Sequence, residues 1–282
     1  MFLLRFFTAI FIFLIILTAC SNEQESNPVL TVYKGTIKGF VYDATTNSPI
    51  YYAKISTQPP TKETYTGADG EFILSDIMAG DYIVDAHRDG YDNDTTFVAI
   101  HHKDTVNINF ILQDFSVYLD YYPLDIGNYW EYWSGNSPNF SAEVISDTMI
   151  SGKIYRVIED KNLSSQSIEY KYERVDTYNA MVYRYFPSEE KEMLIDSLPA
   201  KAGQTFTNSM LMDWEGISYC QSIETEEIFG EARSVRTLSY LGHHLPLYKI
   251  VKGIGLYSFG FVLDENILKY AIIKGVEFGG NK

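Results

Sequence analysis

Tyr129, Trp130, Tyr132 and Trp133 place four aromatic rings within five residues of this 282-residue chain. They are the natural place to look for a ligand, and Trp130, Tyr132 and Trp133 are the candidate binding residues. Planar rings stack on sugars or on apolar ligands, while the indole N–H and phenol O–H keep a polar handle. Neighbours along a strand point to opposite faces. Tyr129, Glu131 and Trp133 therefore go one way, and Trp130 and Tyr132 the other. One face is core. The other either exposes its aromatics or is buried under a second layer, as large aromatics commonly are.

The other residues with reactive or ligating side chains are scattered. Of the two cysteines, Cys220 lies between Ser218 and Ser222 on a strand-like stretch, without a histidine close in sequence to serve as base. It reads as a small, half-buried residue rather than a nucleophile. The five histidines are His87 and two adjacent pairs. On a strand, His101 and His102 face opposite sides and cannot share a metal. His243 and His244 can converge if they lie in a loop between Gly242 and Pro246, but no third ligand is spaced nearby. Asp89, Asp92, Asn93 and Asp94 lack the spacing and closing glutamate of a calcium loop and read as a solvated acidic turn. Asp213 and Glu215 share a strand face, yet nothing orients a substrate beside them. There is no Gly-x-Ser-x-Gly elbow, phosphate loop, dinucleotide fingerprint or His-Glu-x-x-His. No catalytic residue, metal or cofactor is expected, and the protein reads as a non-enzyme.

Composition sets the class. Tyr and Phe number 23 and 17, and these residues favour pleated, half-buried surfaces. Helical periodicity is missing after residue 20, so the expected fold is mostly β. The formal net charge is −15 and the pI near 4.7. Such a surface repels phosphate backbones, which argues against nucleic acid as a partner.

The amino terminus supplies an address. Arg5 is followed by an apolar run from Phe6 to Leu17 and then Thr18-Ala19-Cys20. That order resembles a bacterial lipoprotein signal peptide. The resemblance implies cleavage between Ala19 and Cys20 and a diacylglycerol on the Cys20 thiol. The competing reading, an uncleaved membrane helix, needs about 20 apolar residues, more than this run provides. Residues 1–19 are then the signal peptide and 20–33 a polar, flexible tether. Within it, Ser21-Asn22-Glu23-Gln24-Glu25 resembles, loosely, the surface-export signals of some diderm bacteria; an ordinary solvated linker is the alternative. The expected location is the bacterial cell envelope, held to the outer membrane by the lipid anchor.

Residues 34–113 carry period-2 alternation. Ile37, Gly39 and Val41 share a face, as do Ala53 and Ile55, Phe72 and Leu74, Tyr82, Val84 and Ala86, and Val106, Ile108, Phe110 and Leu112. Turn signals at Asn47-Ser48-Pro49, Pro59-Pro60, Asp69-Gly70, Ala79-Gly80 and Asp89-Gly90 separate them. The segments Gly39-Phe40-Val41-Tyr42-Asp43, Pro49-Ile50, Ala53-Lys54-Ile55, Thr66-Gly67-Ala68-Asp69-Gly70-Glu71-Phe72, Gly80-Asp81-Tyr82 and Gly90-Tyr91 resemble the carboxypeptidase regulatory-like domain. The resemblance implies a seven-stranded, transthyretin-like sandwich and a non-catalytic accessory role. Asn47 and Tyr52 stand where that family usually has glycine; Asn tolerates left-handed backbone, whereas Tyr52 puts the geometry of its turn in question.

Residues 118–282 form the second expected domain, a larger antiparallel sheet, curved or partly closed. Tyr122-Pro123-Leu124-Asp125-Ile126-Gly127-Asn128-Tyr129-Trp130-Glu131-Tyr132, the segment Leu198 to Phe206, and Lys252-Gly253-Ile254-Gly255-Leu256 resemble, in order, segments of bacterial secreted and lipoprotein domains of unknown function. Met181 to Phe186 and Met193 to Ile195 are expected to pair as a hairpin through Pro187-Ser188-Glu189-Glu190. Three functions remain open. The first is an anchored, non-enzymatic module whose sandwich is a spacer or docking unit for another envelope protein. The second is a glycan- or lipid-binding protein that uses the aromatic face of the second domain. The third is an unrecognised hydrolase.

Overall fold

The computed structural model describes residues 32–208, 216–240, 248–260 and 265–280. Ala19, Cys20, most of the tether, Asp213, Glu215, His243 and His244 lie outside the described residues. Among those described, no helix is long and apolar enough to cross a membrane, which leaves strand-based crossing unaddressed.

The alternating segments fold as seven strands in two sheets. Strand β1 (Lys34–Asp43) is central to one, with β4 (Glu71–Met78) antiparallel on one side and β7 (Thr105–Leu112) parallel on the other. The second sheet has the order β3-β2-β5-β6, from Thr64–Tyr65, Lys54–Gln58, Gly80–His87 and Asp94–Ile100. Ile37, Val41, Phe72, Leu74, Phe110 and Leu112 of the first sheet pack against Ala53, Ile55, Tyr82, Val84 and Ala86 of the second. The β1–β7 pairing is so close at Gly39 that a Cβ there would sit 1.5 Å from the Ile108 carbonyl oxygen. Gly70 takes the left-handed conformation its hairpin requires, with φ +77°.

Two positions depart from the glycine pattern and keep its geometry. Asn47 has φ +55° and Tyr52 has φ +60°. The Tyr52 turn is held by its own N–H, which donates to the Thr66 carbonyl, while the buried Thr66 hydroxyl donates to the Ile50 carbonyl and accepts from the Ala53 N–H. The Tyr52 ring stacks on Tyr65, with centroids 4.6 Å apart. Tertiary contacts thus impose the turn on a bulky residue.

A single-turn helix, Ser116–Leu119, leads into the second part. Strands β8 to β13 are Tyr129–Ser134, Ser137–Ile150, Lys153–Asn162, Ile168–Asp176, Met181–Phe186 and Lys191–Ser197. Strands β14 to β20 are Thr205–Asn208, Gly216–Ile228, Glu231–Tyr240, Tyr248–Val251, Gly255–Phe259, Asn266–Ile273 and Val276–Gly279. All pair antiparallel in one 13-stranded sheet. β8 pairs with both β9 and β19, which returns the carboxy-terminal meander to the start of the first. The two ends of the strand order, β13 and β14, come side by side, so the sheet is nearly closed. The predicted β12–β13 hairpin is present, with a register shift at Val182/Tyr183.

A buried ion pair fastens this curl. Arg236 on β16 and Asp196 on β13 are both fully buried, with Nη1 donating to Oδ2 at 3.0 Å and Nη2 to Oδ1 at 3.3 Å. Nη2 also donates to the Ser197 carbonyl at 2.7 Å. Cys220 packs in this core fully buried, not half-buried as expected, because closure of the sheet covers the inner face of β15.

Candidate ligand cavity

The inner face of the curl splits into an aromatic wall and an ionic wall. On β8, Trp130 and Tyr132 point inward and are buried. The Trp130 indole N–H donates to the Ile254 carbonyl at 2.7 Å, and the Tyr132 hydroxyl donates to the Leu256 carbonyl at 2.8 Å. These bonds satisfy the polar handles and fix the rings against β18. Phe140 and Phe259 join Tyr132 in a cluster with centroid separations of 5.1–5.9 Å. Between these rings and strands β10 to β12 lies a cavity of about 240 Å³.

The opposite wall is charged. Cross-strand pairing places Asp160 opposite Glu169, Lys171 opposite Ile158, and Glu173 opposite Arg184, so all five ionic side chains share the inner face. Glu173 is 2% exposed and accepts from Arg184 Nε at 2.8 Å and Nη2 at 2.6 Å on one oxygen, and from the Tyr122 hydroxyl at 2.7 Å on the other. Asp160, 5% exposed, forms an ion pair with Lys171. Burial raises the Asp160 carboxyl above its ordinary range, and the Lys171 ammonium opposes that shift. Burial likewise pushes the Tyr122 and Tyr132 hydroxyls well above theirs, so both stay protonated as donors. The arrangement can hold an apolar body against rings while offering charge at one end.

The structure divides the predicted aromatic group. Trp130 and Tyr132 line the cavity; Trp133 does not, because strand alternation turns it outward. There the Trp133 N–H donates to Glu131 Oε1 at 2.9 Å, and the Tyr129 hydroxyl donates to Glu131 Oε2 at 3.3 Å. This outer face is half-buried rather than covered by a second layer.

Other expected sites resolve differently. His101 and His102 lie in the turn between β6 and β7, not on a strand. His101 pairs with Asp104 at 3.2 Å, and His102 packs edge-on against Tyr33. Among the described residues no group of three or more His, Cys, Asp or Glu is placed to hold a metal. The acidic turn is solvated at Asp89 and Asn93, as expected, but forms a junction at Asp92, which accepts from Tyr118 at 3.2 Å and faces Lys201 at 3.7 Å, while the Phe115 N–H donates to the Gly90 carbonyl at 2.8 Å. Burial pushes the Cys220 thiol up, which makes it a poor nucleophile.

Sequence reasoning missed the ionic wall. Glu169, Lys171 and Glu173 alternate with Tyr170 and Tyr172, a pattern that reads as a solvated face. The one available signal was that the intervening tyrosines offer no clearly apolar face either.

No curated protein sequence matches the chain. Solved structures similar to it include the minor pilin GBS52 of Streptococcus agalactiae, at 16% identity and TM-score 0.26, covering 29% of this chain and 45% of that one. The chain therefore spans less than half of that pilin's length. A DUF3823 family protein from Bacteroides ovatus aligns at 11% identity and TM-score 0.23, over 77% of this chain and 94% of that one. The major pilin subunit of Bacillus cereus aligns at 11% and 0.26, over 77% and 95%. At these scores the likenesses carry no property over to this chain. The family model for the carboxypeptidase regulatory-like domain matches residues 36–113, the span of the seven-stranded sandwich, and that sandwich is such a domain.

Proposed function

We propose that this chain is a lipid-anchored, non-enzymatic binding protein of the bacterial cell envelope. Its sandwich serves as spacer and docking unit, and its second β domain takes a small apolar or amphiphilic ligand. The cavity carries this reading: about 240 Å³ of space sits against the inward rings of β8 rather than being filled by core side chains. A concave, half-open space of this size, lined by the rings of Tyr122, Trp130, Tyr132, Phe140 and Phe259 with a few convergent polar groups, has the character of a ligand site.

The neutral fluorescent probe N-phenyl-1-naphthylamine tests it. Saturable enhancement of the probe is expected with the intact protein and should be lost in Ala142→Phe, which fills the cavity from β9. Absence of saturable binding, or binding indifferent to that substitution, would refute the cavity as the site.

The outer face of β8 supports a second reading, glycan binding, because Tyr129 and Trp133 remain partly open there on either side of Glu131. A glycan array on wild type and Trp133→Ala tests it; signals unchanged by the substitution would remove this face from consideration.

The anchor rests on the Leu17-Thr18-Ala19-Cys20 segment. Cys20→Ser should abolish incorporation of a clickable fatty acid, and equal labelling of mutant and wild type would overturn the lipoprotein reading.

A further inference from the structure

We infer that the ionic end of the cavity is a recognition site for the ammonium group of an apolar amine, and that Lys171 is its built-in occupant. The inference rests on the cavity being a ligand site. Lys171 Nζ is paired with the buried Asp160 carboxylate and lies 5.9 Å from the centre of the Phe140 ring. A carboxylate on one side and an aromatic face on the other are the contacts by which proteins hold a ligand ammonium. Here both belong to the cavity wall.

The two cations of that wall are not equivalent. Arg184 is gripped by its planar fork on Glu173, whose second oxygen is taken by Tyr122. Lys171 is a point charge on a flexible stem, and its side chain is 29% exposed against 5% for Asp160. It can swing into water and leave Asp160 to an incoming ammonium. The exchange conserves charge, and the ligand adds burial of its apolar body against Trp130 and Tyr132. An incoming carboxylate has no such exchange. Asp160, Glu169 and Glu173 outnumber Lys171 and Arg184 on this wall, so an anionic head meets net repulsion. The upward shift of Asp160 fits the same picture, since burial leaves its negative charge incompletely compensated.

The test displaces N-phenyl-1-naphthylamine from the full chain with three ligands that share one body: 1-naphthylmethylamine, 1-naphthylmethanol and 1-naphthylacetate. The amine should compete about tenfold more tightly than the carboxylate, with the alcohol between. Lys171→Met should tighten the amine further and leave the alcohol unchanged, and Asp160→Asn should erase the preference. Circular dichroism checks that both variants fold; the wild-type series decides the matter if either does not. Equal competition by all three heads, or weaker amine binding in Lys171→Met, would overturn the inference while leaving the cavity as a ligand site. Failure of the probe itself to bind would instead overturn the cavity reading.

Discussion

Trp130→Ala and Trp133→Ala should have very different costs, although the two indoles are three residues apart on one strand. Trp130 is 7% exposed, so nearly the whole ring is removed from water. An indole buries on the order of 200 Å², worth about 5 kcal/mol at 25 cal/mol per Å². The existing cavity lowers this, because one side of the ring already lacks close neighbours, while the Ile254 carbonyl loses its donor. The expected net cost is about 3–5 kcal/mol. Trp133 is half-buried, which puts about half that area at stake, and its bond to Glu131 is open to solvent competition, so its removal should cost about 1–2 kcal/mol. Urea unfolding followed by far-ultraviolet circular dichroism measures both without relying on tryptophan emission. Since small domains are stable by about 5–15 kcal/mol, Trp130→Ala can be marginal. Trp130→Phe, which keeps a ring and loses only the hydrogen bond and part of the area, supplies a milder point at about 1–2 kcal/mol. Equal costs for the two alanine variants, or a larger one at Trp133, would refute the assignment of faces.

Gly39→Ala should abolish cooperative folding of the sandwich or cost at least about 3 kcal/mol, because its Cβ would fall 1.5 Å from the Ile108 carbonyl oxygen; a melting temperature within a few degrees of wild type would contradict this. Asp196→Ala should cost about 3–5 kcal/mol in urea unfolding by stranding the buried Arg236, and Asp196→Leu with Arg236→Met should recover most of it; a single-variant loss under about 1 kcal/mol would show that the pair is no clamp. Burial alone would raise Glu192, but Arg174, Lys153 and Tyr155 converge on it and bring its pKa down to about 2 from an ordinary 4.5. A depressed carboxyl contributes stability above its unfolded pKa and loses it as pH falls toward the folded value, so wild type should weaken between about pH 4.5 and 2 by about 1–2 kcal/mol more than Glu192→Gln; parallel pH profiles would refute it.

The sandwich was legible because each of its strands has one face in the core. Ile37 and Val41, Phe72 and Leu74, and Tyr82, Val84 and Ala86 alternate with outward-facing residues, some of them apolar such as Ile73 and Ile83, and all are buried as that period-2 pattern requires. The parallel β1–β7 pairing was not legible, since alternation states which face is apolar and not which strand lies alongside. Tyr52 shows a different gap: its side chain argues against φ +60°, and only the bonds through Thr66, distant in sequence, impose it. In the second domain the alternation of β8 was read correctly, but whether each face ended in core, cavity or solvent depended on closure of the sheet. That closure is set by pairings such as β8 with β19, more than a hundred residues apart.

The ionic wall explains why the cavity exists at all. Asp160, Lys171, Glu173 and Arg184 sit on the concave face where a sheet of this kind would ordinarily carry Leu, Ile or Val. Charged groups brought out of water must keep one another as partners, and the Arg184–Glu173 fork, with Tyr122 on the second Glu173 oxygen, cannot also collapse onto an indole. The aromatic wall, fixed by the Trp130 and Tyr132 bonds to β18, cannot move inward to meet it. An aromatic wall fixed by its own hydrogen bonds and an ionic wall anchored at the Glu173–Arg184 pair therefore leave a gap between them. Larger apolar residues in place of the four ions could fill the gap, and well-packed apolar replacements of buried ion pairs commonly leave a fold as stable or more so. Retaining the ions costs packing and desolvation directly opposite the Trp130, Tyr132, Phe140 and Phe259 rings. A cavity apolar on one side and charged on the other is a poor solution for stability and a suitable one for holding an amphiphilic molecule in a single orientation.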